Sequence, residues 1–357
     1  MSTPIHQLPG IIDLPANQPL DRPYFGGSGI AAFRGIPQRD DRCPEDFLGS
    51  TTEVFSGGGV GLTVLSDGRT LRDAVADEPE GFLGPDLAAH LPAGSTGLLT
   101  KLLSTDAALF IHAHPDDAYA RQHGLGCCGK TESWFILAVD DDAPGEVLLG
   151  FTRDVSQTEL ADWFETQNVA AMSAAMHRFR VRPGDTVHVP AGVPHGIGPG
   201  ITLLELQQPT DLSILLEYAG YPGLNRADAL LGLTVDTALA AFSSTALDTD
   251  ALRTLREVRP TIGRIQLLFP ADTHEFYGAE RVHPGATAAT LDAGFAIAVV
   301  IGGSGRIASA RHALPVERGR VLLVRHDAGP VTVDPGLDVV FCRPAPVPHT
   351  VGTPQDS

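Results

Sequence analysis

The apolar positions of this chain come in short runs broken by turn residues, not in long helical stripes. "TGLLTKLLS", "AALFIHAHP", "ESWFILAVDD" and "GEVLLGFTRD" each read as a strand. "GVGLTVLSDGRTL" reads as a strand with an Asp-Gly turn. "GDTVHVPAGVPHGIG" and "GITLLELQQPTD" read as a strand, a Pro/Gly turn and a strand. Helical spacing is rarer. "LRDAVADEPEGFL" is a short amphipathic helix. "SQTELADWFETQNVAAMSAAMHRF", residues 156–179, is predicted helical throughout, with Ser156 as cap and Glu159 completing a capping box. "VDTALAAFSS" and "TDALRTLREV" make a helical connection over 236–262. Residues 1–45 read as loop-rich, with "YFGGSG" as a turn. From residue 263 onward the pattern is all-β again, from "IQLLF" through "FAIAVVIGG" and "GRVLLVRHD" to "LDVVFCRP". The expectation is a mainly β protein of two domains, 1–235 and 263–357, with a helical insert near 156–179.

Composition agrees with this and narrows the function classes. The 39 glycines and 28 prolines suit many short strands and turns. A formal charge of -18 argues against nucleic acid or an anionic membrane as partner. Cys43, Cys127, Cys128 and Cys342 have neither zinc-finger spacing nor that of a secreted disulfide framework. The start of the chain has no basic segment followed by an apolar run, and no apolar stretch reaches membrane-spanning length. A soluble cytoplasmic protein with reduced thiols is expected. Of the 25 basic residues only Lys101 and Lys130 are lysine. Arginine cannot replace lysine where a compact ammonium with a tunable pKa is needed, so both become functional candidates.

The candidate chemistry centres on His112-Ala113-His114. Residues two apart on a strand face the same way, so the pair can converge on one point. By itself the pair could equally be two strand histidines with no ligand. A second motif is Pro190, Gly192 and His195, spaced P-x-G-x-x-H across a turn. Glu132 heads the strand between the two motifs. Together they resemble the two motifs of a cupin, a double-stranded jelly roll with one metal in its mouth. Three imidazole nitrogens and one carboxylate oxygen suit zinc, and also iron, manganese, cobalt or nickel.

The resemblance then becomes more specific. "HPDDAYA", "GKTESWFIL", "PGDTVHVPAGVPHGIG" and "LLELQQPTDLS" are similar, in order, to hallmark segments of type I phosphomannose isomerases. The likeness runs from "PYFGG" near residue 23 to a degenerate C-terminal β-domain. It implies two cupin β-barrel domains and a zinc-dependent isomerase of mannose 6-phosphate and fructose 6-phosphate. It implies His112, His114, Glu132 and His195 as metal ligands, although the family usually has glutamine at the position of His112. It implies Lys130 in catalysis, together with Glu205, and Lys101 near substrate phosphate. An arginine after "QQPTDLS" is expected near the mouth, and Arg226 is the candidate. Phe110 stands where the family usually has a serine close to substrate. The C-terminal "GFAIAVVIGGSGRIASARHALPVERGRVLLV" has a cupin rhythm without the ligands, so it is expected to be a metal-free packing partner. His188 is expected to be structural, and His177, His283, His312, His326 and His349 to lie at the surface.

Three other readings compete. Phe110 and the unusual "YAGYPG" loop suit an isomerase of another, possibly unphosphorylated sugar. A metal-bound cupin that binds sugar without chemistry would not require both lysines. A metal-dependent dioxygenase would fit the ligand set but not the "GKTE" and "ELQQ" segments. The expected partner is a small sugar phosphate.

Overall fold

Strands with apolar residues on both faces need cover on both sides, and this chain supplies it by stacking four antiparallel sheets. The computed structural model describes residues 8–347. The first sheet orders Glu45–Leu48, Leu99–Thr105, Ile201–Gln207, Glu132–Val139 and Thr186–Val189. The second orders Ile214–Leu215, His112–Ala113, His195–Ile197, Glu146–Phe151 and Met176–Arg180. One core lies between them, built from residues such as Leu103, Trp134, Ile136, Leu149 and Leu203. In the C-terminal half, a six-stranded sheet from Ile11–Asp13 to Ile265–Leu267 faces a four-stranded one, with Val300, Ile307, Leu322 and Val331 between them. A third core joins the halves: Leu102, Phe135, Leu204 and Leu206 pack against Ile297, Val299, Leu323 and Val340.

This stacking explains why Leu99–Thr105 and Ile201–Gln207 are buried at every residue. It also sorts their side chains. Leu102 and Leu204 point to the join between the halves, so Lys101, Leu103, Leu203 and Glu205 point into the first sandwich. Glu205 lies opposite Lys101 on one neighbouring strand and Trp134 on the other. The polar groups of the site therefore stand on the inner face of a rigid, central sheet.

The mainly β class agrees with the sequence. The sheets pack as open jelly-roll sandwiches, and they are not closed into hydrogen-bonded barrels. Four expectations differ in detail. Residues 59–71 form no strand; a single bridge joins Val64 to Thr70 around the turn. The expected strand at "AALFIHAHP" shrinks to His112–Ala113. Ser28–Arg34, read as turn and loop, is helical. The helix expected over 156–179 breaks at Gln167, which takes a left-handed backbone (φ 50), and Asn168 caps a second short helix, Val169–Ala174. Met176–Arg180 then leaves as an edge strand against Glu146–Phe151. Alternate exposure along that strand shows why helical period misled. The Ser156 cap is formed, with its hydroxyl accepting from Glu159 N at 3.2 Å.

Ile11–Asp13 departs from the expected division at 1–235. It pairs with Val321–Val324, so the start of the chain belongs to the C-terminal sheet. Among the described residues no helix is long and apolar enough to cross a membrane.

Candidate active site

His112 opens the short second-sheet strand, His114 follows directly after its end, and His195 lies directly across from His112 on the next strand. The Pro190–Pro194 turn fixes that register. Gly192 takes φ 84, a backbone region that costs glycine least, and its N–H donates to His114 O at 2.7 Å. The three imidazoles are buried, and their ligand atoms all lie within 4.8 Å of one another.

Each ring is held by its far nitrogen. His112 Nδ1 contacts Phe110 O at 2.9 Å, His114 Nδ1 contacts Leu212 O at 2.8 Å, and His195 Nδ1 contacts Val193 O at 2.9 Å. A carbonyl can only accept, so each Nδ1 carries the hydrogen and each Nε2 presents a lone pair inward. This is the arrangement that orients metal-ligating histidines. His195 Nε2 is buried with no hydrogen-bond partner. Burial is the main force holding the His112 and His114 imidazoles neutral. It pushes His112 well below its usual range, and His114 to about 3 with help from Lys130. Neutral imidazole is the ligating form. The three histidines thus fit a divalent cation by their donor atoms and by one otherwise unexplained orphan nitrogen.

Glu132 stands against this triad. Its Oε2 is 3.0 Å from His114 Nε2 and its Oε1 is 3.3 Å from His195 Nε2, while Trp134 Nε1 donates to Oε1 at 2.9 Å. Lys130 contacts Glu132 Oε2 and donates to His114 Nε2 at 2.9 Å. Its Nζ also lies 3.7 Å from Glu205 Oε1. Burial raises the Glu132 carboxyl, but the Lys130 charge beside it outweighs that and holds it well below the usual carboxylate range. Glu205 moves the other way, to about 8, through burial and the neighbouring Glu132 charge, against the pull of Lys130 and Lys101. Two carboxyls in one cleft are thereby driven apart in proton affinity, a mark of acid–base sites.

From Glu205 the polar network continues to residues that the sequence reading did not assign. Lys101 Nζ lies 3.0 Å from Glu45 Oε1 and 2.9 Å from Asp211 Oδ1, over the ring of Phe47. Arg22 pairs with Glu45 and approaches Asp211 at 3.6 Å. Burial raises Asp211, but Lys101 and Arg22 hold it down at about 2. Arg22 directly precedes "PYFGG" and Asp211 lies inside "QQPTDLS", so both were adjacent to recognised segments; Glu45 left no comparable signal. These groups line a cavity of about 610 Å³ together with His112, Lys130, Glu132 and Glu205. Phe110 lines it too, with its ring edge-on to His112 at 5.1 Å between centroids.

Seven of the eight candidates converge here. Arg226 does not join them: Leu224 and Ala227 beside it line the cavity, but its own side chain is half exposed and paired with Glu165 at 2.6 Å over the Phe164 ring. His283 and His312 are exposed, His177 and His326 are half-buried, and His349 lies outside the described residues. The four cysteines are free thiols.

His188 is buried behind the site, with Nδ1 2.9 Å from Ser133 Oγ. Burial lowers its pKa from 6.5 to about 4. Between these values the unfolded chain binds a proton that the folded chain refuses. Stability present above pH 6.5 is therefore lost as pH falls toward 4, by about 3 kcal/mol. His188→Gln should flatten that part of the stability curve, measured by urea unfolding at neutral and mildly acid pH. An unchanged slope would show that the proton goes elsewhere.

No protein-family model matches the chain. Part of it is 36% identical, over 149 residues, to the probable mannose-6-phosphate isomerase GmuF of Bacillus subtilis, covering 40% of this chain and 42% of that relative. Another part-length match, 39% over 119 residues, is to the mannose-6-phosphate isomerase ManA of the same organism, covering 33% of this chain and 36% of the relative. These matches thus span less than half the length of the curated relatives. The structural likeness is nearly complete. The crystal structure of the mannose 6-phosphate isomerase from Bacillus subtilis superposes with a TM-score of 0.72 at 22% identity, over 93% of this chain and 99% of that one. The fold is that of the phosphomannose isomerases. A putative mannosephosphate isomerase from Archaeoglobus fulgidus shares it too, with a TM-score of 0.71 at 17% identity over 96% of this chain and 100% of that one.

Proposed function

We propose that this protein is a metal-dependent aldose–ketose isomerase that interconverts mannose 6-phosphate and fructose 6-phosphate. The observation that carries the reading is the set of three buried, converging imidazoles beside Lys130, Glu132 and Glu205. The names of the partial relatives support it.

His112, His114, His195 and Glu132 would hold the cation, and zinc suits three nitrogens and one carboxylate. Bound there, a divalent cation supplies Lewis acidity for the sugar oxygens on which charge develops. The chain's own residues do the rest. The reaction moves a proton between the first two carbons through an enediol. Lys130, an ammonium among two carboxyls and an imidazole, places positive charge beside the developing oxyanion. Glu205 stands next to it and can take and return a proton. Lys130 and Glu205 act as the proton-handling pair. Apolar walls of Phe110, Leu215 and the partly buried Leu224 limit water around the open-chain sugar.

The test is a coupled assay on mannose 6-phosphate before and after chelation. Turnover should vanish in the metal-free protein and return with added zinc. Full activity without metal would refute the proposal.

A further inference from the structure

A second cavity, of about 800 Å³, shares Val54, Phe55 and Asp211 with the first. Its wall carries two adjacent thiols, Cys127 and Cys128, with their sulfurs 3.9 Å apart. Cys127 is exposed and Cys128 half-buried, while Cys43 and Cys342 are buried. A small reagent therefore reaches this pair and not the others. Burial, and then the neighbouring Cys127, push the Cys128 thiol up to about 12, so Cys127 is the thiol that reacts first.

Cys128 precedes Lys130 by two residues, and the link between them is tight. Gly129 packs so closely on its neighbours that an added Cβ would overlap Pro115 O and the Asp116 backbone. Its N–H donates to Asp117 Oδ1 at 2.8 Å, and Lys130 N donates to Pro115 O at 2.9 Å. Gln208 completes the clamp: its Nε2 donates to the same Asp117 oxygen, and its Oε1 accepts from Thr131 N. The Cys127–Cys128 peptide is held far less. Its carbonyl accepts from the exposed Arg121 Nη1 at 3.1 Å, and among the described residues its N–H has no partner. Adjacent Cα atoms lie about 3.8 Å apart, short of the roughly 4.4 Å at which bridged cysteines begin. A bond between the two sulfurs must therefore turn this loosely held peptide. The turn acts on Gly129, and through it on Lys130 and the Asp117–Gln208 clamp. Bonds under such constraint are also readily reduced again.

We propose that Cys127 and Cys128 form a reversible redox site: they close into a disulfide that shifts Gly129 and Lys130 and slows turnover. The oxidant is a small disulfide, represented by oxidised glutathione. Cys127, as thiolate, attacks one glutathione sulfur, and one glutathione leaves as its thiolate. Cys128, deprotonated, then attacks the Cys127 sulfur, and the second glutathione leaves. Two protein thiols give up two electrons and two protons, and the small disulfide takes them up as two thiols. With Cys127 held in the mixed disulfide, its charge no longer opposes ionisation of Cys128. Formation of the bond stands apart from the isomerase reading; its effect on rate rests on that reading.

The experiment treats the full-length, metal-loaded protein with oxidised glutathione and follows three readouts. Peptide masses should show Cys127 joined to Cys128, with two hydrogens lost. Deuterium uptake across residues 127–131 should quicken at least about tenfold as the clamp loosens. Turnover of mannose 6-phosphate should fall at least about tenfold, since a misplacement of about 1 Å can cost about a hundredfold, and dithiothreitol should restore it. The double variant Cys127→Ser/Cys128→Ser should keep the parental rate and ignore glutathione. A stable glutathione adduct, or thiols left unmodified, overturns the redox site. A bridge that leaves uptake unchanged, or an active enzyme's rate unchanged, overturns the coupling to Lys130, as does equal inactivation of the double variant. A reduced protein that turns over no sugar phosphate removes the isomerase reading, and bridge and uptake still decide the redox site.

Discussion

Replacing His114 by alanine should strip the bound cation from the protein and with it nearly all turnover. His114 is the most heavily engaged of the three histidines: Leu212 O fixes its Nδ1, and its Nε2 faces both Lys130 and Glu132. Removing a partner that merely orients a ligand costs roughly 10–100-fold in metal affinity, so removing a ligand itself should cost more than about a hundredfold. The loss should be specific. The first sandwich keeps its core of Leu103, Trp134, Ile136 and Leu203, none of which depends on the imidazole. The measurement is metal content per chain by elemental analysis, beside turnover and the folded-state spectrum. A folded variant that keeps its cation and its rate would remove the histidine triad from the mechanism.

Lys130→Gln should separate chemistry from metal retention. Glutamine is one atom shorter, keeps a hydrogen-bond donor and loses the charge. General acid–base and electrostatic assistance by one side chain contributes roughly 10²–10⁴-fold, and the fall should appear in kcat with KM little changed. The cation should stay, because all three imidazoles and Glu132 remain. Arginine should not rescue the rate: its planar fork cannot present the compact charge that fits among His114, Glu132 and Glu205. Lys130 also balances two buried carboxyls. Unmatched buried charge costs about 3–5 kcal/mol, so the metal-free variant should melt well below the metal-free parent. Wild-type kcat in the glutamine variant would assign Lys130 a purely structural part.

The parts of this molecule that repeat locally were legible in the sequence, and the parts that depend on distant pairing were not. His-x-His needs only a period of two, so it pointed to one face even though its strand is just two residues long. Glu132, Lys130 and Glu205 were legible through the family-like segments "GKTESWFIL" and "LLELQQPTDLS" that carry them. Arg22, Glu45 and Asp211 were not, because they meet only through contacts between Glu45–Leu48, Leu99–Thr105 and the turn after Gln207. Nothing in the spacing of those segments announces that contact. Arg226 failed to join the site for the converse reason. A loop arginine next to the right motif satisfies a pattern, but its side chain pairs with Glu165 on the exposed face of Gln157–Thr166 and turns away from the cavity that Leu224 and Ala227 line. The overlong helix shows how a local pattern can be carried too far. Alanine and methionine run helically past Gln167, yet an edge strand needs Met176–Arg180 more than the helix does.

The union of Ile11–Asp13 with Val321–Val324 bears on how this chain is made on the ribosome. Ile11–Asp13 must wait, unpaired, until Val321–Val324 has been synthesised. In the interval the first sandwich can assemble around its own strands, since all ten lie between Glu45 and Leu215. The C-terminal sheet cannot be completed until the two ends meet. Such long sequence separation slows folding and leaves strand edges open to other nascent chains. Closing that seam is therefore the step at which crowding, or a chaperone that shields Ile11–Asp13, has its greatest leverage on yield.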